Sequence, residues 1–307
     1  LSPKKQLVAA TAAAGSWCGL PIPGFLAILA MYVYTLIAGS THPAYGGPLV
    51  ERPADKATRT RSGRYVVGRI EPHTSASKWP MSAVPWGTPI RRNAAYHIEV
   101  LVQGKWVLLN TLPGWKEKYP TNTPEGATQL YMQEYRKMMS WLQNTKYELK
   151  EQSKMPAPWN GEFPKFWNLN DFGQVAVKYY KDLNGNRKLD GKEELLSDFV
   201  HTTPYDEMET MLSRKLKPAY PLTLGESHGC IHMIPQVLQT WIAKKILAVG
   251  ATIEVHLYPE KTLLASFQRT AGRVGTEIHF YPGARKIALY KVVRKQVGHP
   301  LHPSAHG

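Results

Sequence analysis

Gly225-Glu226-Ser227-His228-Gly229-Cys230-Ile231-His232-Met233 is the stretch on which the reading of this chain turns. It sets a thiol among imidazoles where a polar turn runs into apolar residues. A thiol attacks as its anion, and an ordinary cysteine at neutral pH is mostly protonated. A neighbouring imidazole takes the proton and stabilises the thiolate as an ion pair. Gly229 lets the backbone turn sharply, or approach a substrate, where a side chain would obstruct. A glycine–cysteine pair leading into a helix also offers the N–H groups of Gly229 and Cys230 to a developing oxyanion. The same residues admit a second chemistry, because His228, Cys230 and His232 are good zinc ligands and alternate positions on a strand share a face. The residues by themselves leave both open.

The flanks describe the surrounding domain. Pro235 to Ala248 reads as a helix ending near Gly250, and Thr252–Leu257 as a strand. Further strands are expected at Gly63–Ile70, Gln174–Tyr180, Leu195–His201, Glu277–Tyr281 and Ile287–Val293. His97–Val102 and Trp106–Asn110 flank Gln103-Gly104-Lys105 as a hairpin. Thr123-Pro124-Glu125 signals the start of a second helix, whose Leu130, Tyr131, Tyr135, Met138, Met139 and Leu142 form a packing stripe. The pattern predicts a mainly β domain with some α over residues 61–297, carrying a helical insertion at about 114–166.

Lys and Arg outnumber Asp and Glu by 38 to 23, a formal charge of +15. That balance favours polyanionic surroundings such as anionic lipid or cell-wall phosphate polymer. The basic residues are scattered (Arg59, Arg61, Arg64; Arg91, Arg92; Arg285, Lys286; Lys291, Arg294, Lys295) without interleaved aromatics, so no nucleic-acid partner is expected. The two cysteines, Cys18 and Cys230, lie in unlike surroundings, which argues against a disulfide. Lys4 and Lys5 precede an uncharged run from Leu7 to Gly39. Phe25–Ala38 is too short to cross a bilayer of about 30 Å, but extended back to Trp17 it reaches spanning length. Residues 1–40 are therefore expected to be a transmembrane or signal-anchor helix that leaves the bulk of the chain outside; a buried hairpin is the alternative. Residues 41–60 read as a linker, and 298–307, with His299, His302 and His306, as a disordered tail.

Ser227-His228-Gly229-Cys230-Ile231 resembles the signature of the L,D-transpeptidase catalytic domain, the YkuD-type family. The continuation Ala248-Val249-Gly250-Ala251-Thr252-Ile253-Glu254-Val255 is similar to the strand that ends that domain. Asp198-Phe199-Val200-His201-Thr202-Thr203-Pro204 resembles its strand-end histidine, and the likeness runs from roughly His97 to Leu257. The resemblance implies a β-sandwich catalytic domain in which Cys230 is the nucleophile and His201 the general base. Ser227 would hold the loop and orient the histidine, and amides around Gly229 and Cys230 would form the oxyanion hole. The interval from His201 to Ser227 is longer than is usual in the family, so Pro204–Glu226 would carry an added loop or helix, with His228 as the second candidate base. His232 stands where Asn or Arg is usual, and with Thr202 it is assigned to substrate binding. Peptidoglycan stem peptides are the implied substrate. The implied acceptor is an amine of a neighbouring stem peptide or of a wall-anchored protein, or water in an L,D-carboxypeptidase. The implied location is extracytoplasmic, and no cofactor is needed. A membrane-anchored wall-binding scaffold without catalysis is the rival reading.

A second motif, Asp182-Leu183-Asn184-Gly185-Asn186-Arg187-Lys188-Leu189-Asp190-Gly191-Lys192-Glu193, spaces Asp182, Asn184, Asn186, Asp190 and Glu193 like a calcium loop. Arg187 stands where such a loop takes glycine, and Asn-Gly and Asp-Gly make ordinary turns, so a polar hairpin turn is the first reading.

Overall fold

β-branched and aromatic runs bounded by Gly, Pro and Asn supply most of the strands. The computed structural model describes residues 30–75, 79–142, 163–213, 222, 224–263 and 274–296. Its strands are β1 (Ala30–Leu36), β2 (His42–Tyr45), β3 (Gly63–Glu71), β4 (Ile90–Arg92), β5 (Ile98–Val102) and β6 (Lys105–Leu108). They continue as β7 (Ala176–Tyr180), β8 (Leu195–His201), β9 (Ile231–Met233), β10 (Thr252–Val255), β11 (Gly275–Tyr281) and β12 (Lys286–Gln296). The described helices are α1 (Pro113–Lys118), α2 (Pro124–Trp141), α3 (Pro204–Ser213) and α4 (Pro235–Ala243). The fold is mixed α/β.

The larger sheet runs β1-β12-β11-β10-β3-β7-β8-β9-β2, and an additional β12–β2 pairing closes eight of its strands into a barrel-like ring. β1 lies outside the ring, antiparallel to the C-terminal half of β12 from Ala30↔Gln296 to Leu36↔Tyr290. Every strand of the ring sends residues into one apolar cluster. Examples are Ala44, Val67, Tyr179, Val200, Ile231, Ile253, Phe280 and Ile287, as the period-2 alternation of a closed sheet requires. α4 adds Leu238 and Trp241 to the same cluster. The ring is mostly antiparallel, but β8–β9 and β10–β11 are parallel. A parallel pair needs a crossover rather than a hairpin. The β8–β9 crossover contains α3 and the cysteine turn.

A smaller unit is inserted between β3 and β7. It holds the sheet β4-β5-β6 and helices α1 and α2 around Ile98, Val100, Trp115, Tyr131, Met138 and Trp167. The Thr123 side chain caps α2 by accepting the Gly126 N–H at 3.1 Å, an arrangement that contributes about 1 kcal/mol. The packing stripe holds: Tyr131, Tyr135, Met138, Met139 and Leu142 are buried, and Leu130 packs against them. Met208 and Leu212 of α3 join this second core, so α3 ties the insertion to the end of β8.

Four expectations change. Within the expected Trp17–Ala38 helix, the described residues Ala30–Leu36 form a strand paired with β12; residues 1–29, with Cys18, lie outside the described residues. No helix among the described residues is long and apolar enough to cross a membrane. The 41–60 linker carries β2, which pairs with β9 and β12, and a bridge between Arg52 and Ala57. β2 thereby closes a ring where a sandwich was expected. Finally, the inserted unit begins before residue 114, because the 97–110 hairpin, which forms as expected, belongs to the smaller sheet. The expected 114–166 insertion is observed as α1 and α2 up to Leu142, and 143–162 lie outside the described residues, as does the 298–307 tail. α4 stops at Ala243, where Lys245 takes φ 56°.

Candidate active site around Cys230

The parallel register of β8 and β9 sets Val200 beside Ile231 and His201 beside His232. Val200, Ile231 and Met233 face the interior of the ring. Alternation then puts Phe199, His201 and His232 together on the opposite face, with Cys230 immediately before β9. Their contacts agree. Cys230 packs against Phe172, Ala176 and Phe199, and the His201 ring lies 5.2 Å from both Phe172 and Phe199. His201 and Cys230 therefore border the same Phe172–Phe199 cluster. The sulfur is half-buried and not in a disulfide.

His201 has a defined proton position. Its Nδ1 lies 2.6 Å from the Thr202 carbonyl oxygen. A carbonyl only accepts, so Nδ1 carries the hydrogen and Nε2 keeps its lone pair. His232 is pinned the same way, Nδ1–H donating to the Gly225 carbonyl at 3.0 Å. Burial holds the His201 pKa well below the usual imidazole value, the neighbouring His232 pushes it further down, and the Thr202 carbonyl opposes both. Burial likewise lowers His232 to about 4. Burial thus favours the neutral form of both rings.

Ser227 shapes the turn. Its hydroxyl donates to the Cys230 carbonyl and accepts the Gly229 N–H at 3.1 Å. Gly229 has φ +133°, and a Cβ there would sit 2.9 Å from Thr58 Oγ1 and 3.3 Å from Asp198 Oδ1. The former linker clamps the turn: Ser227 N–H donates to the Gly46 carbonyl at 3.0 Å, and Thr58 Oγ1 donates to the His228 carbonyl at 3.0 Å. Tyr179 belongs to the apolar cluster inside the ring. Burial pushes its hydroxyl pKa well up, with Asp198 and Cys230 adding to the effect.

The structure therefore brings His201, Cys230, Ser227 and Gly229 together, with some roles altered. The Gly229 N–H assigned to the oxyanion hole is engaged by Ser227. The histidine is oriented by the Thr202 carbonyl rather than by Ser227. Thr202 and His232, expected to contact substrate, are buried and bonded internally. The second candidate base, His228, is exposed with its ring 6.1 Å from Trp79. Sequence reasoning missed the aromatic wall of Trp79, His73 and Phe172, which the chain folds in from far upstream. It also missed Glu207, which accepts the Thr202 hydroxyl at 2.6 Å.

Among the described residues no group of three His, Cys, Asp or Glu side chains is placed to hold a metal. In the Asp182–Glu193 loop the oxygens are met by the loop's own donors. Asp182 accepts the N–H groups of Gly185 and Arg187, Asp190 the side-chain amides of Asn184 and Asn186, and Glu193 the N–H groups of Leu183 and Asp190. The segment is a self-bonded polar turn.

No family model, no curated protein and no solved structure matches this chain.

Proposed function

We propose that this protein is a cysteine-nucleophile acyltransferase of the L,D-transpeptidase type, acting on peptidoglycan stem peptides. One observation carries the reading: His201, at the end of β8, and Cys230 border the same Phe172–Phe199 cluster, with the His201 Nδ1–H tied to a carbonyl and Nε2 left as an acceptor. A base whose tautomer is set in advance needs no reorientation when the thiol arrives.

The burial that lowers His201 disfavours a resting thiolate–imidazolium pair, so the proton moves during attack. Cys230 Sγ–H gives its proton to His201 Nε2 as the sulfur bonds to the carbonyl carbon of an L-to-D peptide link. The tetrahedral intermediate collapses, the C–N bond breaks, and the His201 imidazolium protonates the departing D-alanine amine. A thioester on Cys230 remains. An acceptor amine, on a second stem peptide or a wall-anchored protein, loses its proton to His201 Nε2 as it bonds to that carbon. The C–S bond breaks and the sulfur is reprotonated. Water as acceptor would make the same site an L,D-carboxypeptidase. Peptidoglycan lies outside the cytoplasmic membrane, which places the working unit there. The +15 charge suits a wall rich in anionic polymer.

Purified wall fragments incubated with the protein and resolved by mass test this directly. Cross-linked dimers with loss of D-alanine support transfer to an amine, and trimmed tripeptides support hydrolysis. Either product must vanish with Cys230→Ala. Unchanged material from the native protein speaks against the reading.

A further inference from the structure

We infer that Glu207 is a positioning residue for His201, holding through the Thr202 hydroxyl the peptide whose carbonyl fixes the histidine's tautomer. The inference rests on the acyltransferase reading above and extends it to a residue outside the cysteine motif. Glu207 lies in the first turn of α3 and is 2 % exposed; Thr202 is fully buried. Thr202 Oγ1 donates to Glu207 Oε1 at 2.6 Å, and Gln174 Nε2 donates to Oε2 at 2.8 Å. Burying a carboxyl group is costly unless its oxygens are bonded, and an apolar residue would fill this volume more cheaply. The pair is also closely jacketed. Gly173 has φ +63°, and a Cβ there would fall 1.9 Å from Thr202 Oγ1 and 3.2 Å from Glu207 Oε1.

The geometry has one consequence for the base. Thr202 is held by its hydroxyl on one side, and its carbonyl receives the His201 Nδ1–H at 2.6 Å on the other. Its peptide therefore has one orientation. Without the hydroxyl contact the carbonyl swings, the tautomer is no longer set, and fewer molecules present a bare Nε2 to the thiol. α3 also packs Met208 and Leu212 into the inserted unit's core, so the insertion steadies the acid.

The test is the pH profile of Cys230 alkylation by iodoacetamide in the full chain, read on the Cys230 peptide by mass so that Cys18 does not interfere. Thr202→Val should lower the plateau rate roughly tenfold or more. It should also move the acid limb to lower pH, because the carbonyl contact is what holds the His201 pKa up. Thr202→Ser, which keeps the hydroxyl, should restore both, and Glu207→Gln should shift both in the Val direction by less. A slow His201→Ala variant beside native profiles for Thr202→Val and Glu207→Gln would overturn the positioning role alone. So would a lowered melting temperature in those two variants with unmoved limbs. If His201→Ala itself reacts like the native protein, the acyltransferase reading falls and the positioning role goes with it.

Discussion

His201 and His232 stand in register on the parallel β8–β9 pair, their rings edge to face with centroids 4.7 Å apart. Each donates Nδ1–H to a carbonyl on its own side. Burial already disfavours a first proton on either ring, and at His201 the neighbouring His232 adds to that cost.

His232→Gln should therefore raise the His201 pKa, since removing a neighbour that can charge relieves part of its depression. The acid limb of the Cys230 alkylation profile should move to higher pH. A limb that stays put, in a variant with native circular dichroism, would mean the two rings are electrically independent.

Gly229→Ala and Gly225→Ala form a matched pair. At Gly229 the backbone conformation is essentially restricted to glycine, and a Cβ would press on Thr58 and Asp198. The substitution should cost about 1–3 kcal/mol and abolish rapid alkylation of Cys230. At Gly225 a Cβ meets nothing within 4 Å, and the change should stay within about 0.5 kcal/mol. Urea unfolding of both variants checks the difference.

Asp206 ties pH to stability. It is buried beside Thr203, whose hydroxyl donates to it at 2.8 Å. Burial pushes its pKa up to about 7, with Glu209 and Glu207 adding to the effect and Thr203 opposing it. A carboxyl whose folded pKa is raised favours folding while protonated. That contribution is full below the unfolded value near 3.9 and is lost as pH rises through about 7. Asp206→Asn should flatten the dependence of melting temperature on pH between 4 and 7, and should melt above the native protein at pH 8. Parallel melting curves for the two proteins would count against this account.

Arg64 on β3 pairs with Glu277 on β11, which is 2 % exposed, and with Glu254 on β10 at 3.2 Å. Arg64→Met should cost about 3–5 kcal/mol because it strands a buried carboxylate. Arg64→Met combined with Glu277→Leu should recover most of that loss in urea titrations. A double variant as unstable as the single one would place the cost in packing rather than charge.

How much of this was legible in the chain depends on the range of the interaction. The strands at Gly63–Ile70, Leu195–His201 and Ile287–Val293 show in their own alternation, and the α2 cap shows in Thr123-Pro124-Glu125, because each signal sits within the element it describes. β2 did not show, since four residues that include Pro43 carry no period of their own. They form a strand only because β9 and β12 present edges to pair with. Ala30–Leu36 was read as helix for the converse reason. Its apolarity is real, but an apolar run does not say whether lipid, a helix or β12 will cover it.

The motif at 227–230 by itself determined the turn that carries Cys230, because a glycine at φ +133° and a serine bonded to both sides of that turn are local matters. Only the tertiary structure decided which histidine borders the same aromatic cluster as the thiol. His228 is next to Cys230 in the chain but exposed, whereas His201 arrives from another strand through the register of a parallel pair. Only the fold, too, could bury Thr202 and Glu207, since burial and register are properties of the closed sheet and of no segment alone.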